Sequence, residues 1–171
     1  MNLEGYIRDI PDFPKEGILF KDITPLLASA EGFRKAIDVL AEHYRGRGVT
    51  KILGAEARGF ILGGALAYKM DVGFVPARKP GKLPFQTSAA TYELEYGFDA
   101  LEMHSDALGP DDKVLVIDDV LATGGTAAAK AQLVRSSGAE VVGFAFLIEL
   151  DSLHGREKLD GAEVLSLIHV E

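Results

Sequence analysis

The densest chemistry in the sequence lies in Val114-Leu115-Val116-Ile117-Asp118-Asp119-Val120-Leu121-Ala122-Thr123-Gly124-Gly125-Thr126. A continuous apolar run ends in two adjacent carboxylates, and a small-residue turn follows. The run reads as a buried strand, and open α/β sheets bind ligands at the carboxyl ends of their strands. Gly124 and Gly125 allow positive φ and close backbone approach, so successive N–H groups can point into one concavity. Thr123 and Thr126 add hydroxyls, and the start of a following helix adds about half a positive charge. Together these make a cradle for a phosphate monoester, built without lysine. The carboxylates before it suit acceptors for a vicinal diol, one per hydroxyl, or a place beside a magnesium ion. A diol next to a phosphate describes a ribose 5-phosphate. The P-loop pattern is absent, and no G-x-G-x-x-G follows a strand.

The flanking sequence must hold this segment in place. Residues 1–28 are rich in turn signals, with Pro11, Pro14, Gly17 and Pro25 interrupting short apolar pieces. Over 29–45, Phe33, Ile37, Leu40 and Tyr44 share one face of an amphipathic helix. Strands are predicted over 51–55, 72–77, 113–118, 141–148 and 164–168, with small-residue or alanine-rich helices over 59–70 and 127–137. Such alternation implies βαβ units. The strands are apolar throughout, as expected when both sheet faces are covered. The fold class is therefore α/β, an open, mainly parallel twisted sheet flanked by helices, in a single domain over 1–171.

About 35 residues before Lys113 break this rhythm, and so long an excursion in a compact domain is functional or disordered. Its second half alternates: Tyr92, Leu94 and Tyr96 face one way, Glu93 and Glu95 the other. After a turn at Gly97, Leu101 and Met103 alternate with Glu102 and His104. A patterned hairpin over 92–104 argues for a flexible lid spanning about 79–104.

Composition narrows the function classes. The chain has 171 residues, a formal net charge of −8 and no cysteine. The acidic balance argues against nucleic-acid or membrane partners. Without cysteine, disulfides, thiolate catalysis and cysteine-ligated zinc are excluded. The four histidines are scattered, with no H-x-x-x-H pair, which argues against a histidine metal site. No apolar run approaches a transmembrane length and no signal-peptide pattern opens the chain, so a cytoplasmic protein is expected.

The segment VLVIDDVLATGGT resembles the phosphoribosyl-diphosphate signature of type I phosphoribosyltransferases. IPDFPKEGILFKDITPLL, GAEARGF, ARKPGKLP, YELEYGFDALEMHSDAL and IELDSLHGREKL are similar to segments of the adenine phosphoribosyltransferases. The resemblance implies transfer of phosphoribosyl from phosphoribosyl diphosphate to adenine, with Mg²⁺, generally by a homodimer. It implies that Asp118 and Asp119 hold the ribose hydroxyls and that Ala122, Thr123, Gly124, Gly125 and Thr126 hold the 5′-phosphate. The metal is met mainly through substrate and water, with Asp118 and Asp119 as its nearest protein oxygens. The turn at Glu56-Ala57-Arg58-Gly59 binds pyrophosphate in relatives, sometimes through a cis peptide, with Arg58 the contact. Arg78, Lys79 and Lys82 form a second basic cluster, and in relatives such residues reach pyrophosphate, in part from the neighbouring subunit. By the same resemblance residues 1–28 form a hood, in which Leu19, Phe20 and Lys21 lie over adenine and Phe20 stacks on it. Some relatives carry arginine at the position of Lys21. Glu95 matches the family's proton-transfer residue, with Glu93 on the same hairpin face as its alternative, and Tyr96 caps the closed site.

Two other readings compete. One is a sibling transferase for a 6-oxo purine or orotate. The other is a regulator that senses phosphoribosyl diphosphate without catalysis. Such regulators normally append a basic DNA-binding domain, and no such basic segment stands in these 171 residues.

Overall fold

The computed structural model of the chain describes residues 2–94 and 96–171. Strands β1 (Arg8–Ile10) and β2 (Phe20–Asp22) pair antiparallel at the N-terminal end. Helices α1 (Thr24–Ala28) and α2 (Ala30–Tyr44) follow, and α2 starts where Ser29 Oγ accepts the Gly32 N–H at 3.1 Å. Then come β3 (Lys51–Ala55), α3 (Arg58–Met70) and β4 (Gly73–Ala77). An antiparallel hairpin, β5 (Thr87–Glu93) and β6 (Phe98–His104), stands outside the main sheet. The chain closes with β7 (Lys113–Leu121), α4 (Gly125–Ser136), β8 (Glu140–Leu150) and β9 (Val164–Val170).

The central sheet has the order β4-β3-β7-β8-β9, and every neighbouring pair is parallel. From β3 the chain steps outward to β4, then returns to the other side of β3 and builds outward through β7, β8 and β9. The order reverses between β3 and β7, and a crevice opens outside strand ends at such a reversal. Both strands point their C-terminal ends there, so the topology alone selects the ends of β3 and β7 as the place for a ligand.

Each face of the sheet has its own core, which is why the strands read as unbroken apolar runs. Val114 and Val116 pack with Phe144, Phe146, Leu133 and the hairpin's Leu101 and Met103. Leu115 and Ile117 pack with Ile52, Leu40, Leu62 and Leu66 beneath α2 and α3. Helix α3 sits unusually close to the sheet, because a Cβ at Gly54 of β3 would lie 2.7 Å from the Gly59 carbonyl oxygen. Only glycine permits that approach, and it draws the start of α3 up to the crevice.

The parallel α/β sheet and its helices match the sequence expectation, with three corrections. The N-terminal 28 residues hold two strands and a helix, not only turns. The hairpin begins at Thr87 rather than near Tyr92, extended by the pairs Thr87–His104 to Thr91–Ala100. Strand β7 continues past Asp118 to Leu121, pairing Val120 with Ile148 and Leu121 with Glu149. The acids therefore lie inside the strand. Their charge reads as a strand end in the sequence, but the long partner β8 holds the backbone extended beyond them.

Candidate active site

Asp118 and Asp119 are consecutive on β7, so their side chains leave opposite faces of the sheet. Asp118 turns toward α4, where the Lys130 ammonium is hydrogen-bonded to its Oδ2 and donates to the Ile117 carbonyl at 3.3 Å. Its Oδ1 accepts the Asp119 N–H at 2.9 Å. Burial pushes the Asp118 carboxyl up, but the charge and hydrogen bond of Lys130 outweigh it and hold the group below its ordinary value. Asp119 turns toward α3 and is 7% exposed. Burial, then the Asp118 charge, pushes its carboxyl above the ordinary value despite the guanidinium bound to it. Two neighbouring carboxylates are thus driven apart: one firmly ionised and pinned, the other facing the crevice and more readily protonated.

Arg58, the first residue of α3, reaches across the crevice from the end of β3, and its Nε donates to Asp119 Oδ2. Its guanidinium carbon lies 6.0 Å from the centre of the Phe20 ring. One side chain therefore links the β3 turn, β7 and the N-terminal strand β2. The Glu56–Ala57 peptide in that turn is cis. Glu56 accepts from Arg78 Nε at 3.2 Å, from Arg78 Nη2 at 3.3 Å and from the Lys79 N–H at 2.8 Å. The Lys79 N–H leads the causes that hold the Glu56 carboxyl below its ordinary value.

The turn after β7 forms the floor. Gly124 adopts φ +87°, and a Cβ there would lie 2.4 Å from the Gly155 carbonyl oxygen. Any side chain at 124 would meet both a disfavoured backbone conformation and fixed backbone atoms. The first intrahelical bond of α4 runs from the Ala128 N–H to the Gly124 carbonyl, leaving the preceding N–H groups directed out of the helix end. A cavity of about 230 Å³ opens over them, lined by Ala122, Thr123, Gly124, Gly125 and Thr126 and walled by Tyr92, Glu93 and Leu94 of the hairpin. Larger hollows of about 390 and 350 Å³ open elsewhere on the surface. The donors converging on the smaller one, not its size, single it out.

Gly155 is itself braced from behind. Arg156 Nε and Nη2 donate to the buried Glu149 carboxylate at 2.6 and 2.7 Å, and the Ser166 hydroxyl adds a third bond at 2.6 Å. Glu149, Asp151 and His169 are the one group of three potential metal ligands found among the described residues. Glu149 is already committed to Arg156 and Ser166.

The remaining expected residues fall into two groups. Phe20 is half-buried beside Arg58, with Phe13 edge-on to it at 5.1 Å, and Leu19 is 51% exposed. Lys21 alternates to the opposite side of β2, where it pairs with Asp9 at 2.7 Å and lines the separate 390 Å³ hollow. Lys79 Nζ is bound to Asp99 and to the Tyr92 hydroxyl at 2.8 Å, which ties the base of the loop to the hairpin. Lys82 is exposed. Tyr96 projects from the hairpin tip at 88% exposure, next to a turn closed by the Leu94 N–H and the Gly97 carbonyl at 2.9 Å. Glu95 lies outside the described residues.

Sequence reasoning missed Lys130, Gly155, the Glu149–Arg156 pair and, in a turn it had marked, the role of Glu56 as acceptor for Arg78 and Lys79. Lys130 left one signal, a single charge among Ala127, Ala128, Ala129 and Ala131 on a helix expected to pack on the sheet. The others became visible only when the fold brought distant segments together.

The chain matches the model of the phosphoribosyl transferase domain over residues 22–168. It is 59% identical over 170 residues to an adenine phosphoribosyltransferase of Solidesulfovibrio magneticus, covering 99% of each chain. Among solved structures, adenine phosphoribosyltransferase from Thermoanaerobacter pseudethanolicus superposes with a TM-score of 0.95 at 53% identity, covering 99% of this chain and 100% of that one. The enzyme from Saccharomyces cerevisiae, complexed with an imino-altritol bisphosphate and adenine, gives 0.91 at 43% identity and 96% coverage of both. A crevice at the sheet's reversal point, twin acids of unequal character and a nest of backbone N–H groups thus occur in a chain that belongs to the phosphoribosyltransferase family, among the adenine phosphoribosyltransferases.

Proposed function

We propose that the protein transfers the 5-phosphoribosyl group of phosphoribosyl diphosphate to N9 of adenine, giving AMP and pyrophosphate in purine salvage. The observation that carries this reading is the nest over Ala122–Thr126 beside Asp118 and Asp119, which suits a sugar phosphate and its diol. Full-length similarity to adenine phosphoribosyltransferases supports adenine as the base.

The reaction is a substitution at the anomeric carbon. The bond from C1′ to the diphosphate oxygen breaks as the bond from C1′ to N9 forms, and positive charge gathers on the ribose in between. The nest grips the 5′-phosphate, and Asp118 and Asp119 accept from the ribose hydroxyls, fixing the ring for in-line attack. Arg58, Arg78, Lys79 and Lys82 meet the charge of the departing diphosphate. Arg58 must then exchange Asp119 for the diphosphate, so donor binding frees Asp119 for the ribose. Glu95 takes the proton that leaves N9. Leu19 and Phe20 flank the base, and the hairpin with Tyr96 closes over the site and excludes water. Lys21, largely buried and turned to the far side of β2 toward Asp9, argues against a planar contact with the base.

The residues here suit a magnesium ion. Asp118 and Asp119 offer hard oxygen donors only, and few of these are free, which fits an ion held chiefly by substrate oxygens and water. When bound, it neutralises the leaving diphosphate. A cytoplasmic homodimer without nucleic-acid or membrane partners completes the reading. The net charge of −8 disfavours nucleic-acid and anionic-membrane partners, and no described helix is long and apolar enough to cross a membrane.

The test is a side-by-side assay of adenine, hypoxanthine, guanine, xanthine and orotate with Mg²⁺ and phosphoribosyl diphosphate, following pyrophosphate release. Adenine alone should support turnover. Turnover with a 6-oxo purine or orotate instead would establish a sibling transferase.

A further inference from the structure

Lys130 is, with Tyr44, among the largest side chains buried with essentially no exposed surface, and it is the one buried lysine among the described residues. A lysine so placed is costly unless its charge is paired and hydrogen-bonded. Its ammonium meets two acceptors, the Ile117 carbonyl and Asp118 Oδ2, both on β7 and both directly behind the crevice. With Oδ2 held by Lys130 and Oδ1 held by the Asp119 N–H, both oxygens of Asp118 are fixed. The side chain can neither rotate nor swing away, although 17% of it still faces the crevice. The Asp119 N–H is one of those two restraints, so the backbone that aims Asp119 is tied into the same network.

We infer that Lys130 is a positioning residue for phosphoribosyl transfer, which from beneath the sheet locks the Asp118 carboxylate, and through it the Asp119 backbone, in the orientation the ribose requires. The inference rests on the proposed role of the twin acids. Lys130 touches no substrate. It acts on the donor's sugar and leaves the base side alone. A second consequence follows from charge. Two adjacent carboxylates would repel an incoming diphosphate, and an ammonium beneath one of them offsets that repulsion without occupying the crevice.

The test is a double-mutant cycle of Lys130→Met, Asp118→Asn and the double variant, read by steady-state kinetics with each substrate varied and by thermal melting. Methionine keeps the length and shape of the lysine stem and removes the charge. Lys130→Met should lower kcat/KM for phosphoribosyl diphosphate by about 100-fold, the order expected when a reacting group is misplaced by about 1 Å. KM for adenine should stay within about twofold. In the Asp118→Asn background, adding Lys130→Met should cost no more than about twofold further, because a residue that acts through Asp118 has nothing left to act on. Losses that multiply in the double variant would overturn the inference, as would a Lys130→Met protein that melts lower yet keeps its kcat/KM for the donor. Removing one member of a buried pair can prevent folding, whereas removing both is far milder. If Lys130→Met does not fold, the comparison of Asp118→Asn with the double variant decides. Equal activities uphold the inference, and a much weaker double variant defeats it. Unchanged donor kinetics in Asp118→Asn alone would instead refute the proposed role of the acids.

Discussion

The two walls of the site are opposite kinds of structure. The wall made by β7, the 122–126 turn and α4 is buried and over-determined. Asp119 is 7% exposed, Asp118 has both oxygens bonded, and Gly124 is braced by the Gly155 backbone. The wall made by the N-terminal strands and the hairpin tip is open, with Leu19 at 51% and Tyr96 at 88% exposure. On the proposed function, the difference corresponds to the two substrates. A charged sugar phosphate needs dipoles and carboxylates already in place, since moving them during the reaction would forfeit much of their effect. A flat, neutral base needs chiefly apolar cover, which can be completed after it arrives. On the proposed function, the donor wall would be preorganised and the base wall would be completed on binding.

The largest effect should come from the donor wall. Asp119→Ala is expected to lower kcat/KM for phosphoribosyl diphosphate by about 10²–10³-fold, the range measured when one preorganised polar contact to a transition state is removed. Thermal melting should show an intact fold, because the variant also removes a carboxylate that burial and Asp118 disfavour. Unchanged kinetics would remove the acids from the mechanism. Leu19→Ala sits on the base wall and should do much less. Its expected cost is about fivefold in KM for adenine, the worth of roughly 1 kcal/mol of apolar contact, with the donor constants unmoved. If Leu19→Ala proved as damaging as Asp119→Ala, the contrast between the walls would fail.

That contrast also explains what the sequence made legible. The donor wall is nearly contiguous in the chain, so Asp118, Asp119 and Thr123–Thr126 could be read from one segment together with the strand and helix that carry them. The apolar strands gave the sheet for the same reason, since burial on both faces leaves a local signature. The supports of that wall were hidden because they are brought in from elsewhere. Gly155 meets Gly124 across 31 positions, and Arg78 meets Glu56 across 22. Lys130 is close in sequence, but a lysine in a helix ordinarily points to water, and only the packing of α4 on the sheet turns it inward. The three-residue strands β1 and β2 were lost among prolines because pairing with each other, not local pattern, makes them strands.

The smallest effect tests whether the donor wall depends on its rear brace. Burial pushes the Glu149 carboxyl up, but hydrogen bonds from Arg156 and Ser166 outweigh it, so the group sits below its ordinary value of 4.5. The folded state then binds this proton less readily than the unfolded state does. The stabilisation is complete above about pH 4.5 and is lost as pH falls through the folded value. Glu149→Gln should therefore melt a few degrees lower at pH 7, consistent with about 1 kcal/mol for a charged bond whose arginine is half exposed. Below pH 4.5 the gap should close, since the parent protein loses there what the variant never had. Because Arg156 adjoins Gly155, the variant should raise KM for phosphoribosyl diphosphate by about twofold, the share of the brace expressed in the nest, and leave KM for adenine alone. Melting curves of both proteins between pH 3.5 and 7 check the first expectation. Parallel curves over that range would mean that Glu149 contributes no pH-dependent support, and that the nest is held by Gly124 and the end of α4 alone.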